Sequence, residues 1–225
     1  MLGLTLCCFA FWPCAVAQEA EPFVPPPPTY LPAVRYQGGF VHWPFSAKQC
    51  FNVFVSPSAL VLKPLVQQEL QGWLSALPAP QRPALCWASK GSESHLWLFA
   101  VPPTQQKARL GVGVAALTTP YFKAGHLVHM RLAMALHNGW GEALAPSVLQ
   151  GVLRHELGHA LGLLGHSPNP TDCLFAYRLN SQAAPPKPLS EADKETLRQL
   201  YRQVLRPLPT LLPLPVSPAS PAVKP

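Results

Sequence analysis

RHELGHALGLLGHS, residues 154–167, is the stretch on which the reading of this chain turns. His155 and His159 lie four residues apart, one helical turn, so on a helix their imidazoles share a face and can approach one metal ion. Glu156 is rotated by about 100° from His155 by the 3.6-residue period, which sets its carboxylate beside such an ion rather than on it. By composition alone an HExxH pattern arises in on the order of one chain of this length in a hundred. The bland alternative is an amphipathic helix whose histidines are surface or satisfied core residues. The glycines weigh against it. Gly158 and Gly162 each cost about 1 kcal/mol against alanine inside a helix. Gly162 also sits where the helix would stop and turn back through positive φ, which would bring His166 to the first two histidines.

Working outward, Pro146 suits the first turn of the helix that carries this stretch, and Val148, Leu149, Val152, Leu153, Leu157, Ala160 and Leu161 give it a broad apolar face. CFNVFVS (50–56) reads as a strand, and short apolar runs at 85–88, 96–101, 111–117 and 127–132 are strand-length and bounded by Pro, Gly or Ser. Residues 59–77 carry apolar residues at helical spacing up to Pro78. A last helix starts at Ser190 as N-cap with Asp193 three residues on, a weaker form of the capping box, and runs to about 204. The pattern predicts one α/β or α+β domain, spanning 41–205, without internal repeats.

The ends differ from this middle. Thirteen of the 29 prolines lie at 22–32 and 207–225, so 18–40 reads as a Pro-rich linker and 206–225 as a Pro-rich tail. Residues 2–16 are apolar, and Ala15-Val16-Ala17 fits the small-x-small rule, so 1–17 reads as a signal peptide cleaved after Ala17 and the protein as secreted or periplasmic. An uncleaved anchor competes, but about fifteen apolar residues fall short of the roughly twenty a span requires, so no stable membrane insertion is expected after cleavage. Cleavage would leave Cys50, Cys86 and Cys173, an odd number; Cys50 and Cys86 could pair, which spacing does not decide. The net charge of +7 comes from 17 basic and 10 acidic residues with no basic run, so nucleic acid is not an expected partner.

RHELGHALGLLGHS resembles the zinc-binding segment of the metzincin metallopeptidases, and HELGHALGL followed by a His-Ser pair is similar to the matrixin branch. GHLVHMRLAM (125–134) stands where that family places its edge strand, and PLSEADKETLRQLY (188–201) resembles the matrixin C-terminal helix. The likeness covers roughly 50–201 and is dense only after 125. It implies a metzincin-like zincin fold: a twisted mixed sheet of about five strands packed on two long helices, plus a C-terminal helix. It implies a monomeric zinc-dependent endopeptidase with His155, His159 and His166 as Zn2+ ligands, Glu156 as general base and an extended peptide or protein substrate added to the edge strand. A structural Ca2+ is allowed by the resemblance, but no residue pattern supports one.

Two departures stand out. The common spacing HExxHxxGxxH would put the third ligand at 165, which is Gly165; here the pattern is HExxHxxGxxxH, and Gly165 is expected to absorb an unusual backbone conformation. In the turn beneath the metal, TDCLF (171–175) puts Leu174 in the role a methionine usually fills, a swap of similar volume. Asp172 could orient a ligand histidine or cap the turn; Tyr177 could reach an oxyanion or pack in the core. His126 and His129, three apart on a strand, are expected on opposite faces and not as a second metal pair. No match to the family's cysteine-bearing propeptide occurs in 18–49. Two rival readings remain: a catalytically silent zinc- or peptide-binding protein on the same scaffold, and a surface structural protein whose Pro-rich tails are the working parts.

Overall fold

Alternation decides the first strand. Phe51, Val53 and Val55 are buried on one face of β1 (Cys50–Val55), which takes a central place in the sheet. The structure is a computed structural model, and it describes residues 29–124, 126–176 and 187–203. β1 pairs in parallel with β2 (Ala84–Trp87) and β3 (Leu96–Val101), and β3 pairs in parallel with β5 (His126–Ala135). β4 (Ala116–Lys123) closes the row antiparallel to β5, giving the order β2-β1-β3-β5-β4. With helices α1 (Lys63–Ser75), α2 (Gln106–Arg109), α3 (Pro146–Ala160) and α4 (Glu191–Arg202), this is a mixed α/β architecture. Among the described residues no helix is long and apolar enough to cross a membrane.

The edge of the sheet differs from the expectation. GHLVHMRLAM is not the edge strand: β5 lies inside, between β3 and β4, and the edge is Ala116–Lys123. The run 111–117 was expected as a strand, but extended pairing begins only at Ala116 and continues through Pro120. A proline inside a strand argues against a central position because it donates no ladder hydrogen bond, and at an edge that loss is harmless. A register shift between Tyr121 and Phe122 leaves Val128 unpaired, since Tyr121 faces His129 and Phe122 faces Leu127. Strict alternation therefore fails between His126, which is exposed, and His129, which is half-buried and donates to Ser94 O at 2.8 Å.

The helices follow their local signals with adjustments. Residues 57–62 form a 3-10 turn, and the α-helix starts only at Lys63, because Pro64 lacks the N–H that would carry an α-helix back to Leu60. Ser190 caps α4 with a full capping box: its side chain accepts from the Asp193 N–H at 3.0 Å, and Asp193 accepts from the Ser190 N–H at 2.9 Å. α1 and α3 are joined by an ion pair between the partly buried Arg154 and the buried Glu69, Arg154 Nε to Glu69 Oε2 at 2.6 Å, with Gln150 donating to the other carboxylate oxygen at 2.8 Å. Cys50 and Cys86 form a disulfide between neighbouring strands, which settles the pairing that spacing left open; Cys173 is free and buried.

The folded body begins earlier than a linker over 18–40 allows. Tyr30 and Val34 are buried, Tyr30 donates to Asp193 Oδ1 at 2.6 Å, and a 3-10 turn at Leu31–Val34 lies against the loop after α3. Composition misleads here because a few apolar residues among prolines suffice to anchor a segment to an existing core. The signal-peptide segment, the 206–225 tail and Tyr177 lie outside the described residues.

Candidate metal centre

α3 delivers the first two histidines at its last turns and then stops. Gly162 takes φ +103, its N–H bonds His159 O at 2.9 Å, and the Leu163 N–H bonds Gly158 O at 3.2 Å. This is the paired hydrogen bonding of a Schellman ending, which needs a residue free of Cβ strain at the left-handed position. Trp43 and Tyr201 donate to the outgoing carbonyls of Ala160 and Leu161 at 2.9 and 3.1 Å, so the helix end is satisfied inside the core. The chain then returns, and His166 arrives beside His155 and His159, with ring centroids 5.3 and 4.9 Å away.

The extra residue before His166 has a different reason from the one expected. Gly165 is not at positive φ. A Cβ there would stand 1.7 Å from Ala33 O, so the glycine is required by the close approach of the N-terminal segment. Gly158 is required by packing: a Cβ would lie 2.7 Å from Leu174 Cδ2 and 2.8 Å from Trp73 Cζ2. Leu174 therefore does lie in the floor under the histidine helix, fully buried. Asp172 holds the turn, accepting from Ser167 Oγ at 2.5 Å, and does not orient a ring of the triad. The orienting acceptors are backbone carbonyls instead.

Those acceptors fix the chemistry of the rings. His155 Nδ1 donates to Cys173 O at 2.8 Å and His159 Nδ1 to Leu163 O at 2.5 Å. A carbonyl only accepts, so each Nδ1 carries the hydrogen and each Nε2 presents a lone pair. The two Nε2 atoms are 3.1 Å apart, and one nitrogen from each of the three rings lies within 4.8 Å of the others. Two nitrogens bound tetrahedrally to one zinc lie about 3.3 Å apart, so the spacing matches a shared cation. Burial drives His155 and His159 down to about 4 and also lowers His166, which keeps the imidazoles in the neutral, ligating form near pH 7. The donor set fits a metal ion: three neutral imidazoles without thiolates suit a site with an open position more than a closed structural one.

Glu156 shares the cleft. Burial pushes its carboxyl above the ordinary range, while the neighbouring His155 and a hydrogen bond from Thr118 pull the other way. Thr118 Oγ1 donates to Glu156 Oε2 at 2.7 Å from β4. Sequence reading missed Thr118, for it is 38 residues away and no local pattern marks it. Thr118, Pro120, Tyr36 and Leu164 join the triad and Glu156 around a cavity of about 580 Å³. No protein-family model matches the chain, and no curated protein matches it significantly.

Proposed function

We propose that this protein is an exported zinc-dependent endopeptidase of matrixin-like type on a metzincin-like scaffold. The observation that carries the reading is the convergence of His155, His159 and His166 beside the Glu156 carboxylate in one cleft against an edge strand. The resemblance of residues 154–167 and 188–201 to that family supports the choice of zinc and of peptide as substrate.

His155, His159 and His166 would hold the zinc, which would supply Lewis acidity to lower the pKa of water toward about 7 and to polarise a carbonyl. The residues of the chain do the rest. The Nδ1 hydrogen bonds of His155 and His159 hold their rings in register with the ion. Glu156 takes the proton from water as oxygen bonds to the peptide carbon, then passes it to the departing amine nitrogen as the C–N bond breaks. Thr118 hydrogen-bonds one carboxylate oxygen of Glu156, which leaves the other to take the proton. No covalent acyl-enzyme is required, because water is the nucleophile.

The test compares peptide hydrolysis by the zinc-loaded protein with its Glu156→Gln variant. Loss of a general base is expected to slow the reaction about 10²- to 10⁴-fold while the zinc content stays the same. A parent protein that binds zinc and peptide but cuts nothing would establish the silent binding reading in its place.

A further inference from the structure

The backbone of β4 alternates in what it offers. Ala115 O accepts from the Ala135 N–H at 2.7 Å, while Met130 donates its own N–H to His95 O, just before β3, at 2.7 Å. With Ala116 opposite Met134, Thr118 opposite Leu132 and Pro120 opposite Met130, this parity turns Leu117 and Thr119 toward β5. The N–H and C=O groups of Ala116 and Thr118 face away from β5, on a side where no strand of the described residues pairs with β4. Pro120 stands at the next such position and has no N–H to give. An added strand therefore finds donors at Ala116 and Thr118 and none at Pro120.

The two ends of the cleft differ in the same sense. At the Pro120 end Tyr36 stands in the cavity, its ring stacked on Phe122 with centroids 5.3 Å apart. A tight turn holds it, closed by Tyr36 N–H to Gly39 O at 2.8 Å and Gly39 N–H to Tyr36 O at 3.0 Å, with Gln37 and Gly38 at positive φ. In the other direction the cleft continues. Gly113, Val114 and Ala115 line both it and a second cavity of about 690 Å³, whose walls include Val112, Trp140 and Val148. Val112 and Trp140 are 80% and 78% exposed, and exposed apolar side chains gathered at a cleft mark a place where apolar groups are received.

We infer that the peptide-binding strip is one-sided. Resting on the peptidase reading above, a substrate pairs with Thr118 and Ala116, runs toward residues 115–113 and sets a large aliphatic or aromatic side chain in the Trp140 cavity. The chain on the other side of the scissile bond leaves past Tyr36 without being read.

Zinc-loaded Glu156→Gln protein is used to select tight binders from a peptide array, and each is alanine-scanned by fluorescence anisotropy; the parent protein then locates the bond that is cut. One large apolar residue should cost tenfold or more in Kd when changed to alanine. That dependence should vanish in Trp140→Ala and persist in Val61→Ala, an exposed apolar control outside both cavities. All sensitive residues should lie on one side of the cut. Sensitive residues on both sides, an unchanged scan in Trp140→Ala, or no peptide bound at all would overturn the inference. A parent that cuts none of the selected peptides, with the Trp140 dependence intact, ends the peptidase reading and keeps the cavity assignment. Cleavage with two-sided selection does the reverse.

Discussion

Two polar clusters sit side by side on α3, and they are built on opposite principles. In the first, Arg154 meets Glu69 at 2.6 Å through Nε and at 3.0 Å through a second nitrogen, and Gln150 donates to the same carboxylate. Charge answers charge and donors answer acceptors, so the cluster is closed and joins α3 to α1. In the second, beginning one residue later, three imidazoles bring ring nitrogens together beside a carboxylate. Lone pairs there face lone pairs, an arrangement that a shared cation can reconcile. Like groups gathered at close range mark a binding site, and unlike groups mark a structural joint.

The largest effect on stability is expected from breaking the joint. Glu69→Ala leaves the partly buried Arg154 charge without its carboxylate and should cost about 2–4 kcal/mol, measured by urea unfolding. Metal binding by the protein that remains folded should be unaffected.

Acid distinguishes the clusters next. His155 and His159 have folded-state values lowered to about 4, below the ordinary unfolded value of about 6.5. As pH falls from about 6.5 toward 4 the unfolded chain takes up protons that the folded one refuses, so the metal-free protein should lose a few kcal/mol of stability across that window. Arg154, raised further by its hydrogen bonds to Glu69, stays charged throughout. Unfolding midpoints of the metal-free protein that do not change between pH 7 and 4.5 would contradict the desolvation of His155 and His159.

Gly165→Ala probes the support of the second cluster. A Cβ 1.7 Å from Ala33 O forces the N-terminal segment or the His166 loop to move, with an expected loss of about 1–3 kcal/mol and weaker metal binding by calorimetry. The smallest effect is expected from Thr118→Val, which removes one hydrogen bond to the Glu156 carboxylate. It should lower kcat about tenfold, or about 1.4 kcal/mol, with little change in KM, metal content or melting temperature.

How much of this was legible follows from sequence distance. The turn at Gly162, the first-turn position of Pro146 and the capping of α4 by Ser190 and Asp193 all rest on contacts within one or two helical turns, and their residues mark them directly. The Thr118 bond to Glu156 spans 38 residues and the Arg154 bond to Glu69 spans 85, and nothing local announces either. The strand expected at 111–117 lies too early in the chain, because β4 starts at Ala116 and continues through Pro120 to Lys123. Pro120 argues against a strand in general, but the sheet order had to be known before its place at an edge made it harmless.

The sequence by itself determined the helix that carries His155, Glu156 and His159, the place where it stops, and the chemical kind of site that such spacing can make. Helical periodicity and a glycine's access to positive φ are properties of the chain over a few residues, so they survive whatever surrounds them. Only the tertiary structure decided that β4 and not β5 forms the edge, that Thr118 reaches the carboxylate, and that the extra Gly165 makes room for the N-terminal segment. Each of these is a meeting of segments remote in sequence. Such meetings are set by which faces must be buried together, and no single segment carries that information.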